Sequence, residues 1–269
     1  MAPLANAQRQ RLGSNVSSWN TAIWGYMKQG QSLQALACFE QMQNENISPN
    51  SFTFTYLLKA CVRIRSIDMG VKVHDDIVCS GLLQKNVVLG NALVDMYIKC
   101  GLREKAHCVF DNLQTRDVVT WTSLITGYAQ IGDNETVFHL FERMRGECEP
   151  PNLMTFVGVL TACSHCGLVD KGEGYFEAIS YPSTEHYSCL LDILGRAGQL
   201  DKAVNVLKEN PFHYTNLVAC HAILGACRKW GDVNLAREAF EHALHLDEKD
   251  SVAYILMSHV YADVQPNVS

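Results

Sequence analysis

Residues 118–152, VVTWTSLITGYAQIGDNETVFHLFERMRGECEPPN, decide the fold. Trp121, Leu124, Ile125 and Tyr128 recur at the spacing that puts side chains on one side of an α-helix. Gly132 then interrupts the helix and permits a tight turn. From Glu135 to Met144 a second helix carries Val137, Leu140, Phe141 and Met144 on one face. Pro150 and Pro151 end it, because proline cannot continue the hydrogen-bond ladder. The stretch reads as a hairpin of two antiparallel helices.

Working outward, Gly132 is one of a series: Gly30, Gly101, Gly132, Gly167, Gly198 and Gly231. Ala35, Ala106, Val137, Gly172, Ala203 and Ala236 each follow five residues later. The gaps of 71, 31, 35, 31 and 33 residues mark a repeat, the longest being two units with Arg65 in the missing glycine's place. The units are 16–50, 51–86, 87–117, 118–152, 153–183, 184–215 and 216–250, with a shortened eighth running to Ser269. No strand-type alternation of useful length occurs. One hairpin cannot bury both its apolar faces, so neighbours must stack. The expected fold is all-α, a right-handed α-solenoid whose first helices line one concave surface.

With 48% hydrophobic residues in 269, the chain can bury an ample core. Its 22 basic and 28 acidic residues leave a net charge of -6, which argues against indiscriminate polyanion binding. A groove of locally opposite sign is compatible with that total. The eleven cysteines are odd in number, and Cys38, Cys61, Cys163 and Cys227 sit in apolar helical stretches, so reduced, buried thiols are expected. No apolar run approaches the roughly 18 residues of a membrane span. Residues 1–15 have arginine and serine and no acid, the composition of part of an organelle targeting peptide.

The strings VSSWNTAIWGYMKQG (16–30), VVLGNALVDMYIKCG (87–101) and VVTWTSLITGYAQIGD (118–133) resemble the plant pentatricopeptide-repeat proteins. So do VLTACSHCGLVDKG (159–172), EHYSCLLDILGRAGQLDKA (185–203) and HAILGACRKWGDVNLA (221–236). Unit lengths of 35, 36, 31 and 35 match the subclass with alternating long and short repeats. The array spans 16–215, and residues 216–269 are similar to that subclass's E-type C-terminal extension, itself tetratricopeptide-like. The resemblance implies recognition of single-stranded RNA, one nucleotide per repeat, by the fifth and last residues of each unit. It carries over Asn20 with Asn50, favouring cytosine, Asn91 with Asp117, favouring uracil, and Thr122 with Asn152, favouring adenine. Thr55 with Asn86 belongs to a long unit and is read less strictly. Val16, Val88 and Val119 take the positions flanking the base. The implied partial site is 5′-C-n-U-A-3′. Val157, Ser188 and Thr215 are weaker contributors, since Ser188 and Thr215 form an atypical pair and Glu185 would repel phosphate. An RNA-editing deaminase or accessory factor acting in trans is the implied partner, in a mitochondrion or, alternatively, a chloroplast.

Other chemistry has less support. Cys163, His165 and Cys166 form a half-site for zinc, but Cys220, His221 and Cys227 lack matching spacing, so neither a metal nor a cofactor is expected. The family's longer members end in a zinc deaminase domain marked by H-x-E and P-C-x-x-C, and these 269 residues hold neither signature. The chain is therefore expected not to be an enzyme. Trp19, Trp24, Trp121 and Trp230 read as core by helical phase rather than as stacking platforms. Asn50, Asn86 and Asn152 have a plainer reading as helix caps. A protein-interaction scaffold using the same groove is the alternative function.

Overall fold

The computed structural model describes residues 15–209 and 217–264, so Thr215 and residues 1–14 lie outside it. Fifteen α-helices occur among the described residues. They are α1 (Val16–Lys28), α2 (Ser32–Asn44), α3 (Ser51–Ile64), α4 (Ile67–Ser80), α5 (Val87–Lys99), α6 (Arg103–Asn112), α7 (Val118–Gln130) and α8 (Asn134–Gly146). Then follow α9 (Leu153–Cys166), α10 (Val169–Glu177), α11 (Thr184–Arg196), α12 (Leu200–Glu209), α13 (Leu217–Trp230), α14 (Val233–Leu246) and α15 (Ser251–Val264). A short 3₁₀ turn, Leu83–Lys85, precedes α5. None of the described helices is long and apolar enough to cross a membrane.

The chain divides into two compact units, Met1–Gly127 and Tyr128–Ser269, with the border inside α7. In the first, α1 packs on α2, α3 on α4 and α5 on α6, while α3 also packs on both α1 and α5. In the second, α9 packs on α10, α11 on α12 and α13 on α14. There α9, α11, α13 and α15 stack in succession. Each unit is thus a pile of helical hairpins, with first helices against first helices.

The turns explain the glycine repeat. All six marker glycines hold φ between 67° and 81°, the left-handed region where a side chain would crowd the backbone. Arg65 closes α3 in the same conformation, φ 52°. A side chain there costs about 1–2 kcal/mol against glycine, partly offset by glycine's freer unfolded chain. Arg65→Gly is expected to raise stability by about 0.5–1 kcal/mol, seen as a higher thermal midpoint by circular dichroism. An unchanged or lower midpoint would show that Arg65 is held there by contacts worth more than the strain.

The core follows the helical phase. Trp19 and Trp121, the fourth residues of α1 and α7, are buried to 1% exposure, and Trp121 meets Phe110 edge to face at 4.6 Å. Trp24 and Trp230 depart from the core expectation, at 42% and 49% exposure. Trp24 stands five residues from Trp19, about 140° round the helix from it. Trp230 closes α13 and lays its ring over Gly198, its Nε1–H donating to the Gly195 carbonyl at 2.8 Å. Cys38, Cys61, Cys163, Cys220 and Cys227 are buried. Burial pushes the Cys61 and Cys227 thiols up to about 12 and that of Cys163 up to about 11, so they pack as small apolar groups.

Candidate functional site

At Asn20 and Asn91, the fifth residues of α1 and α5, the polar side chain meets the residue that caps the next first helix. Asn50 precedes α3, and its Oδ1 accepts from the Thr53 backbone N–H at 3.1 Å, while the Thr53 hydroxyl accepts from the Asn50 N–H. This reciprocal cap is the local reason for asparagine before the helix. The same Asn50 Oδ1 accepts from Asn20 Nδ2 at 3.0 Å, and the Thr53 hydroxyl donates to Asn20 Oδ1 at 2.6 Å. Asn20, Asn50 and Thr53 therefore form one closed network between α1 and α3. Thr53 is wholly buried beneath it.

One hairpin pair further on, the arrangement repeats. Asn91 Nδ2 donates to Asp117 Oδ1 at 3.0 Å and more weakly to Oδ2 at 3.3 Å. Thr120, also fully buried, donates its hydroxyl to Asn91 Oδ1, and its N–H donates to Asp117 Oδ1 at 2.9 Å. Burial pushes the Asp117 carboxyl up. The hydrogen bonds from Thr120, Asn91 and the Val119 amide outweigh it and hold Asp117 below the usual carboxylate range. The networks differ in one group: the capping side chain ends in an amide in the first and a carboxylate in the second. An amide can offer N–H outward; the carboxylate can only accept.

The remaining expected positions are less tightly organised. Asn86 caps α5 through the Leu89 N–H at 3.0 Å, but Thr55 spends its hydroxyl on the Ser51 carbonyl at 2.8 Å, and no hydrogen bond joins Thr55 to Asn86. Thr122 is the fifth residue of α7 and half-buried. In the second unit, Asn152 caps α9 through a reciprocal pair with Thr155 at 2.9 and 3.1 Å. Val157 is half-buried on α9, and Ser188 donates to the Thr184 carbonyl at 2.8 Å. Glu185 accepts from Ser183 and Thr184, bonds that hold its carboxyl below the usual range, so it is charged. Val88 and Val119 are 61% and 50% exposed as the second residues of their helices. Val16 differs from them in register. It opens α1 as the first residue, half-buried, and the position equivalent to Val88 is held by Ser17.

Several participants were not anticipated. Thr53, Thr120 and Thr155 recur as the third residue of a first helix, a regularity visible in the sequence. Phe52 and Met154 join the exposed second-position residues. Ser17, Asn20, Thr21, Trp24, Asn50, Phe52 and Tyr56 line one concavity. A neighbouring concavity is lined by Trp24, Lys28, Tyr56, Lys59, Arg63 and Lys99 from α1, α3 and α5, with Asp95 as its one carboxylate, paired to Lys99 at 2.8 Å. The Lys28 ammonium lies 4.1 Å from the Trp24 ring centroid. The local sign of this face is therefore positive, although the chain carries -6 overall. Among the described residues no three histidine, cysteine or acidic side chains gather as a metal site would require.

Comparison with known proteins agrees with this architecture. Models of the PPR repeat match residues 14–63 and 116–165, and 52–82, 91–118 and 185–209. The mitochondrial pentatricopeptide repeat-containing protein At2g03880 of Arabidopsis thaliana is 39% identical over 252 residues, covering 92% of this chain and 39% of that protein. The chloroplastic protein CRR2 of Arabidopsis thaliana is 38% identical over 258 residues, 93% of this chain and 39% of its own length. This chain thus spans about two fifths of the length of these relatives. In fold it is similar to the pentatricopeptide repeat protein PPR10, crystallised with an 18-nt psaJ RNA element. The TM-score is 0.70 at 14% identity, over 96% of this chain and 42% of that one. With hairpins of this pattern, an α-solenoid neighbour and repeat matches over most of its length, the chain belongs to the pentatricopeptide-repeat family.

Proposed function

We propose that this chain binds single-stranded RNA along the polar face of its first helices, one nucleotide per hairpin. It then acts in an organelle as a specificity factor that brings a catalytic partner, such as an editing deaminase, to a transcript. The observation that carries the reading is the pair of closed networks, Asn20–Asn50–Thr53 and Asn91–Asp117–Thr120. Each fixes a polar group that an unpaired base edge could meet, so little side-chain entropy remains to be lost on binding. The Asn50 amide can donate to the ring nitrogen of cytosine; the Asp117 carboxylate can accept the imino hydrogen of uracil. Exposed Val88 and Val119 can flank the bases, at about 1–3 kcal/mol per stacked base. Lys28, Lys59, Arg63 and Lys99 supply the local positive charge that phosphates need, which favours RNA over a peptide in the groove.

On this reading residues 16–215 are the array and 216–269 an E-type extension of the alternating-length subclass. The relatives named mitochondrial and chloroplastic support an organelle, with the mitochondrion our first choice. Thr122 with Asn152 completes the site 5′-C-n-U-A-3′. A gel shift with that RNA against C-n-A-U tests it. The double exchange Asn91→Thr with Thr122→Asn is expected to reverse the preference, and equal affinity of all four combinations would reject the reading.

A further inference from the structure

The first two hairpins carry large aromatic rings at two places that the later ones leave to other residues. Trp24 is the ninth residue of α1 and Tyr56 the sixth of α3. No other described first helix has tryptophan at the ninth place or tyrosine at the sixth; α5 has Asp95 and Ala92 there. We propose that Trp24 and Tyr56 hold the ribose of the nucleotide read by Asn20 and Asn50, and that the Tyr56 hydroxyl selects its 2′-OH. This position would then distinguish RNA from DNA. The inference deepens the RNA-binding reading above and rests on it.

Asn20, Trp24 and Lys28 follow one another at steps of four residues, a single stripe down α1 with about 6 Å between successive members. The stripe runs from a reading residue through the ring to a cation. Trp24 and Tyr56 are also the two side chains shared by the concavity that holds Asn20 and Asn50 and by the cationic one beside it. A nucleotide whose base edge meets Asn20 and Asn50, and whose phosphate meets Lys28, Lys59 or Arg63, must cross the strip that these two rings wall. The part between base and phosphate is the sugar.

The two rings suit the two sides of a ribose. Trp24 is 42% exposed and has the Lys28 ammonium 4.1 Å from its centroid, so it offers apolar surface beside a held positive charge. Arg63 donates to the Met27 carbonyl at 2.5 Å, which ties α3 to α1 at the cationic end. Tyr56 is half-buried, and its hydroxyl has no hydrogen bond among the described residues. A phenol both donates and accepts, and so does a 2′-OH, so each can complete the other. A deoxyribose leaves the phenol without that partner.

The test measures the affinity of the full chain for C-n-U-A RNAs that carry one 2′-deoxy sugar. A deoxy sugar at the cytosine is expected to weaken binding about fivefold, the scale of one net hydrogen bond. The same change at the uracil, where Ala92 and Asp95 take the two places, should leave affinity unaltered. Tyr56→Phe should bind the all-ribose RNA as weakly as the unaltered chain binds the deoxycytidine RNA, and should lose nothing more on the deoxy change. Trp24→Ala, at an exposed position, is the second variant. It should weaken both RNAs about fivefold through lost apolar contact, with C-n-U-A still preferred to C-n-A-U. Unchanged affinity in Trp24→Ala, an equal deoxy cost at cytosine and uracil, or a deoxy cost that persists in Tyr56→Phe would overturn this inference alone. Absence of any preference for C-n-U-A over C-n-A-U by the unaltered chain would overturn both readings.

Discussion

Asp117→Asn is expected to turn the preference at the third nucleotide from uracil to cytosine. Asparagine caps a helix about as well as aspartate, so α7 should start as before. The introduced amide oxygen can still accept from Asn91 and from the Thr120 N–H, as Asn50 Oδ1 does from Asn20 and Thr53. What changes is the outward group. Asp117 Oδ2, which accepts from Asn91 at 3.3 Å, is an acceptor in a carboxylate held ionised; an amide nitrogen in its place is a donor. A well-made base-edge contact is worth about 1–3 kcal/mol of discrimination, so the uracil-to-cytosine ratio should invert by about tenfold or more on each side. Filter binding with C-n-U-A and C-n-C-A measures it. Were both RNAs to weaken equally, Asp117 would be acting on the fold rather than on the base.

Trp121→Ala is expected to cost about 3–5 kcal/mol of stability, the range for truncating a fully buried tryptophan. The ring is 1% exposed, meets Phe110 at 4.6 Å edge to face, and has the Arg116 guanidinium 5.9 Å from its centroid. Trp24→Ala is the control: that ring is 42% exposed and should cost under about 1 kcal/mol in stability. Urea denaturation of both variants, followed by tryptophan fluorescence and circular dichroism, separates them. A loss below 1 kcal/mol for Trp121→Ala would mean that the hairpins tolerate a cavity at this joint.

The hairpin architecture was legible because it is local. Glycine at each turn answers to the left-handed φ between helices, and the apolar positions of residues 118–144 keep the helical period whatever surrounds them. Arg65 was placed at a turn on spacing alone, and it takes the left-handed conformation that the position demands. The candidate site was legible only in part. Asn20 and Asn50 could be named from their positions in the repeat, but Thr53, which closes their network, looked like one more helical residue. Val16 stands one position before the place that Val88 and Val119 take in their helices, and in α1 that place holds Ser17.

By itself, the order of residues determined two-helix units, their turns and the run of apolar fourth positions, since these depend on neighbours within a few residues. Tertiary structure decided what lies across the hairpins. Asn20 was joined to Asn50 thirty residues away, His221 was brought to Asp250, and Lys28, Lys59, Arg63 and Lys99 were gathered on one face of an acidic chain. Hydrogen bonds and charge depend on distances in space, and only the stacking of one first helix on the next sets those distances.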